Sequence, residues 1–548
     1  MTSQTPFDLF AASARDYPGQ PVMKAPASAH LSYAPEGFSY TYAEAAAVID
    51  ALRDRYAGAG YGRGHRVALI LENRPEMLFH WLALNALGAT IVPINPDLKP
   101  EELRYQLEKS RSDLVVALPA YDALLDAGCP EGLPRAHPDS VPPGALSAPQ
   151  AGTPGPDQEC AILFTSGSSG LPKACQLSNE YFLTLAAWYV SDEGMGPMAP
   201  GAEVALTPLP LFHMNALGCT CLGMIQAGGC IVALDRFHAR AWWPTVADSG
   251  ATLVHALGVI PAILLKLPVD PAETAHQARL VFSPGVEPGN KQEFERRYNV
   301  RIEEGWAMTE TGGAAGIGSA GIELPKGKQC IGKPYRNVDW RLVDDAGADV
   351  ATGQPGELWV RARGADPRRG FFSGYLGDEA ATAEAWEGGW FHTGDIMMRD
   401  DAGLFYFVDR KKSIVRRSGE NISSLEVESA LVRDPGIYAA AVAPAPDDVR
   451  GEEVLAFIVL SDPAPAALAG RDRDAALALV EAAAPYISYH KLPGWVVFTD
   501  ALPLTSTKKL QRGVLKANAA TAVEDGSAID LRGEKGRFRT AGKPGGQS

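Results

Sequence analysis

The chain has no excess of positive charge. It holds 50 lysines and arginines against 65 aspartates and glutamates, a formal net charge of -15 with a pI near 5.2. That balance argues against nonspecific binding to nucleic acid or to an anionic membrane, while leaving room for a local basic site for phosphates. Cysteine is scarce and odd in number, seven in 548 residues. Cys219 and Cys221 form the one close pair, and no second pair or histidine cluster completes a zinc site. Reduced, buried thiols in a cytoplasmic protein are expected. The first 20 residues lack the basic and apolar regions of a signal peptide. No charge occurs from Met214 to Leu234, but Gly228-Gly229 breaks that run and "CIVAL" follows. A buried helix, a turn and a buried strand are expected there, with no transmembrane segment.

What is present is an ordinary globular balance, 46% apolar and 21% charged. The length suits a large domain plus a small one. "RVALILEN", "ATIVPIN", "SDLVVAL" and "ATLVHAL" read as buried strands, with helical stretches such as "PEMLFHWLALNALG" between some of them. Alternation of this kind predicts α/β layering with largely parallel sheets. Pro134 to Pro156 is rich in Pro, Gly, Ala and Ser and reads as a loop. From Asp339 to Asp409 the strands shorten ("DWRLVDDAG", "GELWVRARG", "GLFYFVDR"), which predicts an antiparallel sheet or a small barrel-like part. A smaller α+β pattern follows to about Ala520, and the remaining residues read as a disordered tail.

"FTSGSSGLPKACQLSN", Phe164 to Asn179, carries the first chemical signal. A Gly- and Ser-rich turn offers backbone N–H groups and hydroxyls to phosphate oxygens, and Lys173 adds a full charge. The order of residues is not that of a Walker A loop. "CAILF" before it reads as a strand and "SNEYFLTLAAWYV" after it as a helix. A flexible linker is the plain alternative.

Four further segments narrow the choice: "EEGWAMTET" (303–311), "GWFHTGD" (389–395), "VDRKKSIVRRSGENIS" (408–423) and "LPLTSTKKLQR" (502–512). Together with the loop, and in this order over about residues 30 to 515, they resemble the adenylate-forming superfamily of acyl-CoA synthetases, luciferases and adenylation domains. The resemblance implies an N-terminal AMP-binding domain (1–411) and a mobile C-terminal domain (412–520) that alternates between two half-reactions, with the tail at 521–548. It implies ATP, Mg²⁺ and coenzyme A as cofactors and a small carboxylic acid as partner.

The same resemblance assigns roles. Thr165, Ser166, Gly167, Ser168, Ser169, Gly170 and Lys173 would hold ATP phosphates. Thr309 would touch them and Glu310 would help hold Mg²⁺. Trp306 would stack on adenine, or be a plain core aromatic. Gly285, Val286 and Glu287, in "FSPGVEPG", would line the base's other side. Asp395 would accept the ribose hydroxyls, and Arg410 would reach ribose or phosphate. Lys509 matches the catalytic lysine, although Lys508 stands where glycine is usual. Lys412 matches the hinge and Gly419 the pantetheine channel; Arg416 and Arg417 read either as solvated surface or as neighbours of the CoA phosphates.

"PLFHMNALGCTCLGMIQAGG" with "LVHALGVIPAILLKLP" looks most like ligases of the crotonobetaine/carnitine–CoA type. By that likeness His213, Asn215, Gly258, Val259 and Gly312 would line the acyl pocket, His213 being otherwise a core histidine. The expected activity is ATP-dependent carboxylate–CoA ligation on a small or medium acid. Loading of a carrier protein is the alternative within the class, and a nucleotide-binding regulator the alternative outside it. The sequence leaves the acid and the oligomeric state open, a homodimer among the options.

Overall fold

The computed structural model describes residues 3–165, 172–257, 259–411, 413–417, 420–447, 450–461, 472–487, 489–504 and 510–540. The apolar runs become strands where expected: Arg66–Ile70, Thr90–Pro93, Leu114–Ala117 and Leu253–His255. They belong to two seven-stranded sheets. One runs Arg301–Glu303, Leu280–Phe282, Leu253–His255, Val204–Thr207, Cys230–Ala233, Pro21–Ala25, Phe38–Thr41, parallel throughout except for its last pair. The other runs Gly374–Tyr375, Lys173–Ser178, Glu159–Thr165, Thr90–Pro93, Arg66–Ile70, Leu114–Ala117, Arg135–Ala136, parallel from Glu159–Thr165 onward. Helices Pro75–Ala86 and Asn179–Tyr189 share one apolar core with strands of both sheets. That is why Pro75–Ala86 is apolar on nearly every face and not amphipathic.

The uncharged stretch forms a π-helix, Asn215–Leu222, then helix Gly223–Ala227, a left-handed turn at Gly228 and strand Cys230–Ala233. Among the described residues no helix is long and apolar enough to cross a membrane. All seven cysteines are free and buried.

The short strands from Gly305 onward take the first of the two expected forms, an open seven-stranded antiparallel sheet and not a closed barrel. Two expectations change. The Gly-Ser loop is not a strand-to-helix connection: Lys173–Ser178 pairs back antiparallel on Glu159–Thr165 before the helix begins. And the tail is built into the C-terminal α+β part as far as residue 540. Ile529–Asp530 pairs with Trp495–Phe498, Leu531 is 1% exposed, and buried Lys535 bonds to Glu453. Polar composition hid these few anchoring side chains.

Candidate active site

Ligands of open parallel sheets sit outside the carboxyl ends of the strands. Most of the expected adenine and acyl residues lie there, in spatial order. Glu304 and Trp306 follow Arg301–Glu303, and Gly285 follows Leu280–Phe282. Val259 follows Leu253–His255, and His213 and Asn215 follow Val204–Thr207. Neighbouring strands are about 4.8 Å apart, so the two sets adjoin.

Gly285 has φ +77°, where glycine is favoured, and open space lies where a Cβ would point. Its N–H donates to Glu304 Oε2 at 3.1 Å. Burial pushes the Glu304 carboxyl up to about 7. The other two residues of that segment are committed elsewhere. Val286 is packed in the core, and the Glu287 carboxylate accepts from Asn290 N–H as the cap of helix Pro288–Tyr298. Only Gly285 offers a surface to a flat base.

Asp395 and Arg410 are cross-strand partners in the antiparallel sheet. Asp395 is 1% exposed. Its Oδ2 accepts the Trp306 indole N–H at 2.7 Å. Arg410 Nε approaches Oδ1 at 3.0 Å, but no donor meets Oδ1 with hydrogen-bond geometry among the described residues. Burial raises the Asp395 carboxyl, while Arg410 and the Trp306 bond pull it back. A buried carboxylate with an open acceptor fits a pair of hydroxyl donors.

Thr165 and Lys173 face each other as the last pair of the hairpin. Lys173 Nζ lies 4.4 Å from the centroid of the Tyr375 ring. The Tyr375 hydroxyl donates to Glu310 Oε1 at 3.0 Å, and burial keeps that phenol neutral. The Tyr181 hydroxyl donates to the Thr309 carbonyl at 2.8 Å, and Phe372 N–H to the Glu310 carbonyl at 2.9 Å. One cluster thus joins Lys173, Tyr375, Thr309 and Glu310. A single carboxylate beside a hydroxyl suits a cation whose remaining ligands are phosphates and water. No group of three or more histidine, cysteine or acidic side chains forms a metal cage among the described residues.

On the acyl side, Asn73 holds the segment that carries His213. Its amide donates to the carbonyls of Leu209 and Leu234 and accepts from Leu211 N–H, each at 2.8 Å. His213 packs on Phe212. Asn215 accepts from buried His255. Gly312 does not leave open volume: a Cβ there would meet the Tyr181 ring at 2.5 Å. Its lack of a side chain serves packing.

Ser166, Gly167, Ser168, Ser169, Gly170, Gly258, Lys412, Gly419, Lys508 and Lys509 lie outside the described residues, as do the side chains of Val259 and Arg416. Arg417 is neither solvated surface nor free for a phosphate. It pairs with Glu453 at 2.8 Å and is itself mostly buried.

Sequence reasoning missed Tyr375, Asn73 and His255. Tyr375 sits in "SGYLGDEAAT", between a glycine and the Asp378 cap of helix Glu379–Ala385, a local signal that was legible. Asn73 follows a buried strand, a common place for a loop clamp.

A buried aspartate in the antiparallel sheet and a lysine–tyrosine–glutamate cluster at the hairpin end are the groups an α/β enzyme acting on a nucleotide needs. The profile of the AMP-binding enzyme family matches residues 10–376, and that of the AMP-binding enzyme C-terminal domain matches 426–509. The chain belongs to this adenylate-forming family. It is 31% identical to the crotonobetaine/carnitine–CoA ligase of Citrobacter koseri, over 77% of this chain and 84% of that protein. It is 30% identical to the sulfoacetate–CoA ligase of Cupriavidus necator, over 92% and 96%. Among solved structures, ATP-bound MatB from Rhodopseudomonas palustris superposes with a TM-score of 0.78 at 23% identity, covering 94% of this chain and 99% of that one.

Proposed function

We propose that the protein is an AMP-forming carboxylate–CoA ligase acting on a small or medium acid. The observation that carries this reading is the buried Asp395 carboxylate, whose Oδ1 accepts no hydrogen bond among the described residues, together with the Lys173–Tyr375–Glu310 cluster. CoA as the acceptor is supported by the relatives, which are CoA ligases.

In the first step the acid's carboxylate oxygen attacks the α-phosphorus of ATP, and the bond to the β-phosphate oxygen breaks, releasing pyrophosphate. Negative oxygens crowd that centre, so positioning and charge neutralisation dominate. Asp395 takes the ribose hydroxyls and fixes the nucleoside, and the open face of Gly285 admits the base beside Trp306. Thr165, Ser166 to Gly170 and Lys173 hold the β and γ phosphates. Mg²⁺ held by Glu310 would neutralise phosphate charge. Tyr375 keeps that carboxylate aimed and seats Lys173 on its ring face. Lys509 bridges the acid's carboxylate and the α-phosphate, and Arg410 supports ribose or phosphate. In the second step the CoA sulfur attacks the acyl carbon and AMP leaves. Turning about Lys412 removes Lys509 and brings the Gly419 loop to the pantetheine arm.

The test is mass spectrometry of products from ATP, Mg²⁺, CoA and a pooled panel of carboxylic acids. A new acyl-CoA with AMP is expected. Acyl-AMP that never becomes a thioester would transfer the reading to a carrier-protein acceptor.

A further inference from the structure

A polar chain leads from the end of helix Asn179–Tyr189 to Asn215, one of the residues expected to line the acyl pocket. His255 ends strand Leu253–His255 and Tyr189 ends helix Asn179–Tyr189, and both are 0% exposed. The Tyr189 hydroxyl stands 2.7 Å from His255 Nε2, and His255 Nδ1 stands 3.0 Å from Asn215 Oδ1. The tyrosine and histidine rings also stack, with centroids 5.6 Å apart. Asn215 opens the π-helix Asn215–Leu222 and is partly exposed, whereas Ala216 through Leu222 are buried. Segments of π-helix are rare and concentrate at functional sites.

Satisfying the buried donors fixes the tautomer. Tyr189 has His255 as its hydrogen-bond partner among the described residues, so its hydroxyl proton must go to Nε2 or be left buried and unmet. Nε2 is then bare, and Nδ1 carries the ring proton. The Thr220 hydroxyl stands 3.5 Å from Nδ1, at the limit of a hydrogen bond, and a helical threonine has preceding carbonyls to serve. Burial presses the His255 imidazole to about 3, so the ring is neutral at ordinary pH. Nδ1–H therefore donates to Asn215, which must present its carbonyl oxygen inward. Its amide nitrogen is turned outward, and no described residue takes it.

We propose that Tyr189 and His255 are positioning residues that aim the Asn215 amide into the acyl cleft as a donor. The enzyme thereby selects acids bearing an uncharged oxygen acceptor, keto, hydroxyl or ester, on a short acyl chain. The donor is neutral, and its chain neighbours, partly buried Met214 and buried Ala216, are apolar, which favours an uncharged acceptor over an ionic one. The inference rests on the ligase reading above.

The experiment compares kcat/KM, by AMP release, for matched acids: levulinate with pentanoate, and 3-hydroxybutyrate with butyrate. The acceptor-bearing member is expected to win by about tenfold or more, because a donor left unmet is costly. Asn215→Ala and Tyr189→Phe should each bring the ratio to within about twofold of unity, with KM for ATP unmoved. Nitrogen-15 spectra of His255, identified by their loss in His255→Gln, should show a protonated Nδ1 and a bare Nε2. A protonated Nε2 overturns the proposal whatever the activity. Equal kcat/KM for both members of each pair, or a ratio unchanged in both variants, overturns it while leaving the ligase reading intact. AMP release from no acid at all refutes the ligase reading, and this inference with it.

Discussion

Asp395 and Glu453 are both buried carboxylates, and the protein treats them in opposite ways. Glu453 is 0% exposed and surrounded by donors. Arg417 reaches both oxygens at 2.8 Å, Lys535 reaches Oε1 at 2.7 Å, and Val454 N–H adds another bond. Asp395 is as deeply buried but accepts one hydrogen bond, from Trp306, and its other oxygen faces only half-exposed Arg410 at 3.0 Å. Equal burial thus goes with very unequal satisfaction of the charge. Glu304 lies between the two. Among the described residues it has one backbone donor and no bonded cation, and burial pushes its carboxyl up to about 7.

The largest expected effect falls on the closed member. Glu453→Gln leaves Arg417 and Lys535 buried against a neutral amide, and should cost about 3–5 kcal/mol of stability in urea unfolding. AMP binding should change by less than about threefold, since the lost charge lies in the other part of the chain. A loss of AMP affinity matching the loss of stability would erase the contrast. Asp395→Asn should do the reverse. Hydrogen bonds to a charged group are worth about 1.5–3 kcal/mol, so kcat/KM for ATP should fall by about a hundredfold. The melting temperature should hold or rise, because a strained buried charge is gone and Arg410 is 59% exposed.

Glu304→Gln tests the intermediate case. From about pH 4.5 to 7 the folded chain keeps a proton that the unfolded chain has released. Stability contributed by this group therefore falls as pH rises through that window and stays level above it. The glutamine keeps the acceptor for Gly285 N–H without the charge. It should add about 3 kcal/mol at pH 8 and almost nothing at pH 4. An equal gain at both pH values would mean that the charge is not the cause. Trp306→Phe should be mildest. Losing the indole donor raises the Asp395 carboxyl further, so the acid limb of kcat/KM for ATP moves to higher pH, with about a fivefold loss at neutrality. An unmoved acid limb would show that the bond does not hold the ionised form.

Much of the architecture was legible because it is written in short-range pattern. Runs such as "RVALILEN" and "ATLVHAL" became strands, and the motifs carrying Asp395, Glu310 and Lys173 stood out by residue type. What was hidden depends on partners distant in the chain. Tyr375 matters through Glu310, 65 positions away, and His255 through Tyr189, 66 positions away. Periodicity cannot report such pairs. The side-chain directions of Val286 and Glu287, into the core and onto a helix cap, were not legible because a motif gives position alone. The tail was misread because three anchors, Leu531, Lys535 and Ile529, are diluted among polar residues.

The hairpin between Thr165 and Lys173 has a consequence for how this site is held in place. In a phosphate loop that runs into a helix, the helix amides are part of the grip, so altering the loop disturbs the helix. Here the following helix starts at Asn179, six residues beyond Lys173, or about 20 Å of extended chain away. The strands are locked to each other and to the sheet by their own ladder. Thr165 and Lys173 are thereby held by the sheet, and their placement does not depend on the helix that follows.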